Sequence, residues 1–190
     1  MLEIPFSGIK KIEEIAKSSS EYISLSQGSI KVGGIPMPVK QYIKTLLDTD
    51  ITDYYESCWG IRPLRDAISE TLSARYATTI TVNQVLPTHG CIGGLTLLYH
   101  TLLSPGDEVL LPEPCYSAYE ILTRTNRTKP VFVSCYKPSA DGKMWELNVE
   151  ALQAAKTSRT KMLIFSNPWN PLGIIIDHAK IKQLVAWCEQ

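Results

Sequence analysis

A chain of 190 residues, 44% hydrophobic and 20% charged, carries enough apolar material for one domain core with a small appendage and is too apolar to be disordered. Nineteen basic residues balance nineteen acidic ones without like-charge blocks, which argues against nucleic acid or anionic lipid as a partner. The charged start of the chain lacks the apolar stretch of a signal peptide, and no apolar run is long enough to span a bilayer. The five cysteines lack metal-ligand spacing and read as reduced thiols of a cytoplasmic protein, with neither a metal site nor a membrane partner expected.

Ile9, Ile12 and Ile15 predict an amphipathic helix over residues 9–16. Ile23-Ser24-Leu25-Ser26 alternates like a short strand, and the Gly- and Pro-containing stretch 27–38 reads as a loop. Val39, Ile43, Leu46 and Leu47 give a second helical face. From Arg62, the spacing of Leu64, Ile68 and Leu72 predicts a helix with Pro63 near its start, where a missing N–H costs least. Beyond it, strands are expected at 84–86, 108–111, 131–133 and 162–165, with helices at 91–103, 116–125, 149–155 and from near Asp177. Short apolar strands alternating with helices predict an α/β fold whose mainly parallel sheet is covered on both faces. The last helix, with Ile181, Leu184, Val185 and Cys188, meets no Gly or Pro, so the chain is expected to be part of a larger domain.

Three turns at strand ends carry candidate chemistry. Thr88-His89-Gly90-Cys91-Ile92-Gly93-Gly94 leads into a helix whose first N–H groups, at Cys91 and Ile92, suit a phosphate whatever their side chains. Taken alone, this segment is better explained as a plain strand-to-helix turn, and its spacing matches neither a dinucleotide nor a Walker fingerprint. In Gly106-Asp107-Glu108-Val109-Leu110-Leu111-Pro112-Glu113-Pro114-Cys115-Tyr116, Tyr116 falls just past the carboxyl end of a strand, where open α/β sheets bind ligands. An aromatic there stacks on a flat ring or caps the next helix. In Asn167-Pro168-Trp169-Asn170-Pro171-Leu172-Gly173, two prolines and a glycine mount Asn170 rigidly, so that its amide can donate to a ring oxygen.

Taken in order, these motifs resemble the class I/II aminotransferases, the fold-type-I pyridoxal-phosphate enzymes. Ile23 to Gly28 looks like that family's early strand, and Tyr55-Glu56-Ser57-Cys58-Trp59-Gly60 with Leu64-Arg65 resembles its Tyr-x4-Gly…Leu-Arg signature. The resemblance implies an incomplete three-layer α/β/α large domain over residues 49–190, preceded by an N-terminal helical arm and part of a small domain over 1–48. It implies pyridoxal 5′-phosphate as cofactor, amino acids and 2-oxo acids as substrates, and a homodimer. Backbone N–H groups of Cys91 and Ile92 would hold the phosphate, Tyr116 would stack on the ring, and Asn170 would bond its 3′ oxygen. Tyr55 would reach the phosphate of a neighbouring subunit, Gly28 would line the substrate pocket, and Arg65 reads as a structural helix residue. Ile92 and Leu172 depart from the usual Thr or Ser and Thr.

In the family, the Schiff-base lysine and the aspartate that pairs with the pyridinium nitrogen both follow the asparagine loop. No lysine of this chain is a credible substitute, Lys31 included, so no catalytic residue is assigned and the expectation is a truncated polypeptide, inactive alone. A non-catalytic cofactor-binding or dimer-forming remnant, a lyase of the same fold and a Rossmann-type nucleotide binder are the alternatives. The family's first strand pairs with later strands, which implies that 84–86 lacks neighbours and that the strand at Met162 is an open edge.

Overall fold

The computed structural model describes residues 8–23, 25, 33–139, 142 and 145–189, which fall into two compact units, Gly8–Gly94 and a second starting at Leu95. Gly28, the expected substrate-pocket residue, lies outside the described residues.

The first unit is helical. It holds α1 (Gly8–Lys17), α2 (Met37–Leu47), α3 (Arg62–Tyr76) and the start of α4 (Gly90–Leu102), with 3₁₀ turns at Asp50–Thr52 and Val82–Gln84. Prolines open α2 and α3, where their missing N–H is harmless, and α3 ends at Ala77 in the left-handed region. None of the residues of α1, α2 or α3 is buried, so polar bonds rather than a core organise α3. Arg65 donates from Nε to the Val85 carbonyl (3.1 Å) and from Nη2 to that of Val82 (2.8 Å). Ser73 accepts from the Ile80 N–H at 2.9 Å. Arg65 is therefore committed to backbone inside this unit, as a structural helix residue is. Gly60, at φ 85°, sits where a Cβ would come within 3.1 Å of the Pro87 ring.

Among the described residues, two expected strands are not found. Ile23 and Leu25 are almost fully exposed and belong to no strand, while Ser24 and Ser26 lie outside the described residues. At 84–86 the chain leaves a 3₁₀ turn, held by the Thr81 N–H donating to Gln84 Oε1 (2.8 Å), and passes through an extended, buried Val85. Val85 has strand dihedrals, but among the described residues no ladder partner lies beside it.

The second unit is the α/β part. Its sheet has the order β2-β1-β5, from β1 (Glu108–Glu113), β2 (Lys129–Ser134) and β5 (Thr160–Leu163), all parallel, with Leu110 opposite Val131 and Leu163. Helix α5 (Ser117–Thr125) links β1 to β2, and α6 (Val149–Ala154) and α7 (His178–Cys188) flank β5 in sequence. Val109, Leu110 and Leu111 are wholly buried because β1 has strands on both edges and helices on both faces. Val109 and Leu111 pack with Tyr99 of α4 and with Tyr119 and Leu122 of α5. Leu110 packs on the opposite side with Val149, Leu152 and Leu184 of α6 and α7. This is an incomplete three-layer α/β/α domain. Each such side chain contributes about 1.5–3 kcal/mol by leaving water.

Strand β5 starts two residues earlier than the apolar pattern suggests, at Thr160. A short antiparallel pair, β3 (Tyr136–Pro138) with β4 (Trp145–Leu147), is not foreseen at all. Three-residue strands are too short for a readable period.

The amino ends of the three strands are joined by one carboxylate. Glu108, buried at the start of β1, accepts from Thr157 Oγ1 (2.6 Å), Lys129 Nζ (3.0 Å) and Arg159 Nη2 (3.2 Å). The Thr157 hydroxyl first, then Lys129, hold its acid well below the ordinary value of 4.5, at about 2. A depressed folded value means that this stabilisation is complete above pH 4.5 and is lost as pH falls toward 2. Glu108→Gln should therefore lower the melting temperature at neutral pH and flatten its decline across that acid window. An unchanged profile in a melting series would show that the clamp adds nothing.

Among the described residues, strand β5 pairs on one side only, with β1, leaving its other edge open to association. The purified chain should accordingly self-associate with rising concentration in light scattering. A concentration-independent monomer with one cooperative melt would refute this.

Candidate cofactor site

Strands β1 and β5 are neighbours in the sheet, and a candidate loop follows each at its carboxyl end. After β1, Tyr116 forms the N-cap of α5 with extended backbone (φ −63°, ψ 123°). Its ring meets that of Tyr119 edge-on, with centroids 5.6 Å apart at 88°. Tyr119 is buried, whereas Tyr116 remains 40% exposed. The buried ring thus props the exposed one.

After β5, residues 166–176 form a turn closed from within. The Trp169 N–H donates to the Ile174 carbonyl (2.8 Å), and the Gly173 N–H, at φ 69°, returns to the Trp169 carbonyl (2.6 Å). Asn167 Oδ1 accepts from the Ile176 N–H (2.9 Å), so the first asparagine of the motif is used up in building the turn. The second is not. Asn170 is exposed, its backbone N–H is held by Ser166 Oγ (3.1 Å), and among the described residues its amide side chain has no partner. The two asparagines of the motif thus differ: one builds the turn and the other is left uncommitted among the described residues.

These two loops are joined. Trp169, only 2% exposed, donates from Nε1 to the Pro114 carbonyl at 2.8 Å, two residues before Tyr116. Its indole lies parallel to Phe165 (5.7 Å, 8°) and edge-on to Tyr136 (5.0 Å, 75°). Trp169 belongs to the sequence motif, yet the motif alone assigns it no role. A signal is there all the same: a large aromatic inside a Pro- and Asn-rich turn is out of place unless it is anchored.

The remaining candidates belong to the unit Gly8–Gly94. Cys91 and Ile92 occupy the first turn of α4; both are exposed, and Cys91 is a free thiol. Gly90 enters that helix at φ 69°, and the Thr88 hydroxyl donates to the Gly90 carbonyl (3.0 Å), which holds the turn. Gly94 lets the chain close up there, since a Cβ would come within 3.2 Å of Thr88 Oγ1. Tyr55 is fully exposed in an irregular segment.

Burial moves the thiols nearest the β1 loop. It pushes both Cys115 and Cys135 up to about 11, so that both thiols are protonated at neutral pH and react slowly. Among the described residues, no helix is long and apolar enough to cross a membrane.

The family profile "Aminotransferase class I and II" matches residues 20–190. The aspartate aminotransferase of Sulfolobus acidocaldarius is 32% identical over 177 residues, covering 91% of this chain and 44% of that protein. Kynurenine–oxoglutarate transaminase 1 of Mus musculus is 28% identical over 93% of this chain and 44% of its own length. The crystal structure of an aspartate aminotransferase from Thermotoga maritima superposes with a TM-score of 0.85 over 98% of this chain and 49% of that one; at 24% identity it speaks for the fold. The chain thus spans a little under half the length of the curated relatives it matches. On the family match over nearly its whole length, this chain belongs to the class I and II aminotransferases.

Proposed function

We propose that this chain supplies the cofactor cradle of a pyridoxal-phosphate-dependent enzyme that moves an amino group between an amino acid and a 2-oxo acid. The observation that carries the reading is the pairing of an exposed aromatic face, Tyr116, with an uncommitted amide, Asn170, on loops after two adjacent parallel strands. A flat heteroaromatic ring with a phenolic oxygen calls for such a pair. The family name on both curated relatives supports the same chemistry.

Each residue then has one task. Tyr116 holds the ring by its face, and Asn170 donates from Nδ2 to the ring oxygen, favouring its ionised form. Backbone N–H groups of Cys91 and Ile92, at the positive end of α4, take the phosphate, and Ile92 does so without a hydroxyl. Tyr55, fully exposed, reaches the phosphate of a second subunit in a homodimer, and Gly28 lines the substrate pocket. The bound cofactor supplies an electron sink for the substrate's α-carbon. In domain terms, residues 1–48 are an arm with part of a small domain, and 49–190 belong to the cofactor-binding large domain. Its place is the cytoplasm, in keeping with the free thiols of all five cysteines.

Titrating the purified chain with pyridoxal phosphate, followed by induced circular dichroism in the cofactor's absorption band, tests the cradle. Wild type should bind saturably. Asn170→Ala should weaken binding roughly ten- to a hundredfold, the worth of a hydrogen bond to a charged group. Tyr116→Ala should weaken it about two- to tenfold, and Tyr116→Phe hardly at all. Binding that ignores both residues would sink the assignment.

A further inference from the structure

We propose that Trp169 is a positioning residue that sets the distance between the ring-stacking Tyr116 and the amide of Asn170, a role that rests on the cofactor reading of this site. The cluster has the form such a task requires. The backbone of Trp169 closes the Asn170 turn through bonds to Ile174 and Gly173, while its indole grips the carbonyl of Pro114. One residue is therefore fastened to both loops, adjacent to Asn170 and bonded two positions from Tyr116. Phe165 beneath the indole and Tyr136 at its edge leave the ring no room to turn.

The sheet alone does not set this distance. Strand β1 ends at Glu113 and β5 at Leu163, three and seven residues short of the two groups. A flat cofactor presents its face and its phenolic oxygen at a fixed separation. Its partners must therefore be fixed relative to each other to within a fraction of an ångström, and slack of about 1 Å is costly. The 2.8 Å bond from Nε1 to the Pro114 oxygen spans 55 residues of sequence and removes that slack.

Cys115, between the gripped carbonyl and Tyr116, reports on the loop without any ligand. Trp169→Phe keeps the aromatic packing and deletes the N–H. In the ligand-free variant, iodoacetamide should alkylate Cys115 roughly tenfold faster, because the part-buried Pro114 carbonyl loses the donor that holds the loop. Cys135, wholly buried in the sheet core, should keep its wild-type rate. The same variant should bind pyridoxal phosphate roughly tenfold more weakly, with a diminished induced dichroism. Tyr136→Phe, which alters the same cluster but spares the indole bond, should leave both thiols at wild-type rates.

A Cys115 rate that does not change overturns the link, and parallel rises at Cys115 and Cys135 reduce it to general loosening. A freed Cys115 with cofactor binding intact overturns the positioning role. Wild type that takes up no cofactor sinks the cradle instead, whatever the thiols report. Without any substitution, the Trp169 indole proton should exchange with solvent far more slowly than those of Trp59 and Trp145, which are 58% and 53% exposed. Equal exchange would also overturn the proposal.

Discussion

The α/β unit depends on the burial of β1 from Glu108 to Pro112. A strand with both neighbours parallel and both faces covered must be apolar at consecutive positions, and Val109, Leu110 and Leu111 meet that demand. Because side chains alternate, the same three residues anchor two separate cores, one through Val109 and Leu111 and the other through Leu110. Helices on either side are held in place by this one strand. Its carboxyl end consequently emerges at a defined point, and the segment from Glu113 to Tyr116 inherits that definition.

Precision at the candidate site then accumulates in steps. The ladder aligns β1 with β5, the closed turn after β5 shapes the backbone around Asn170, and the indole of Trp169 ties that turn to the loop after β1. Polar groups inside the turn are spent on building it. Asn167 and Ser166 are both bonded to backbone, and Asn170 presents a side-chain amide with no partner among the described residues. A rigid frame around one uncommitted group is what ligand recognition requires, since a group that must first break an internal bond binds more weakly.

How far the sequence was legible depends on the range of the forces involved. Helices were readable because their periodicity is local and, for α3, because a proline marks its start; the prolines at the start of α2 were read as loop. The buried parallel strands were readable from continuous apolar runs such as Val109 to Leu111. The segment 84–86 was apolar enough for a strand, yet a strand exists only with a partner, and pairing is not local information. The β3–β4 pair failed for the opposite reason, being too short to leave a pattern. For the candidate site, Tyr116 and Asn170 were singled out through motif order, whereas the role proposed for Trp169 depends on a carbonyl 55 positions away that no window of sequence contains.

The Glu108 clamp sits at the amino ends of the strands, while the loops of the candidate site leave from the carboxyl ends. Stiffness and recognition are thus lodged at opposite poles of one sheet. Such polarity lets the two properties drift separately over evolutionary time. Loops after β1 and β5 can be rewritten for a new substrate without disturbing the charged knot beneath them, and that knot can be strengthened or relaxed to suit a warmer or cooler host without respecifying what is bound. A scaffold divided in this way is well suited to generating a family of enzymes that share one cofactor and differ in what they bring to it.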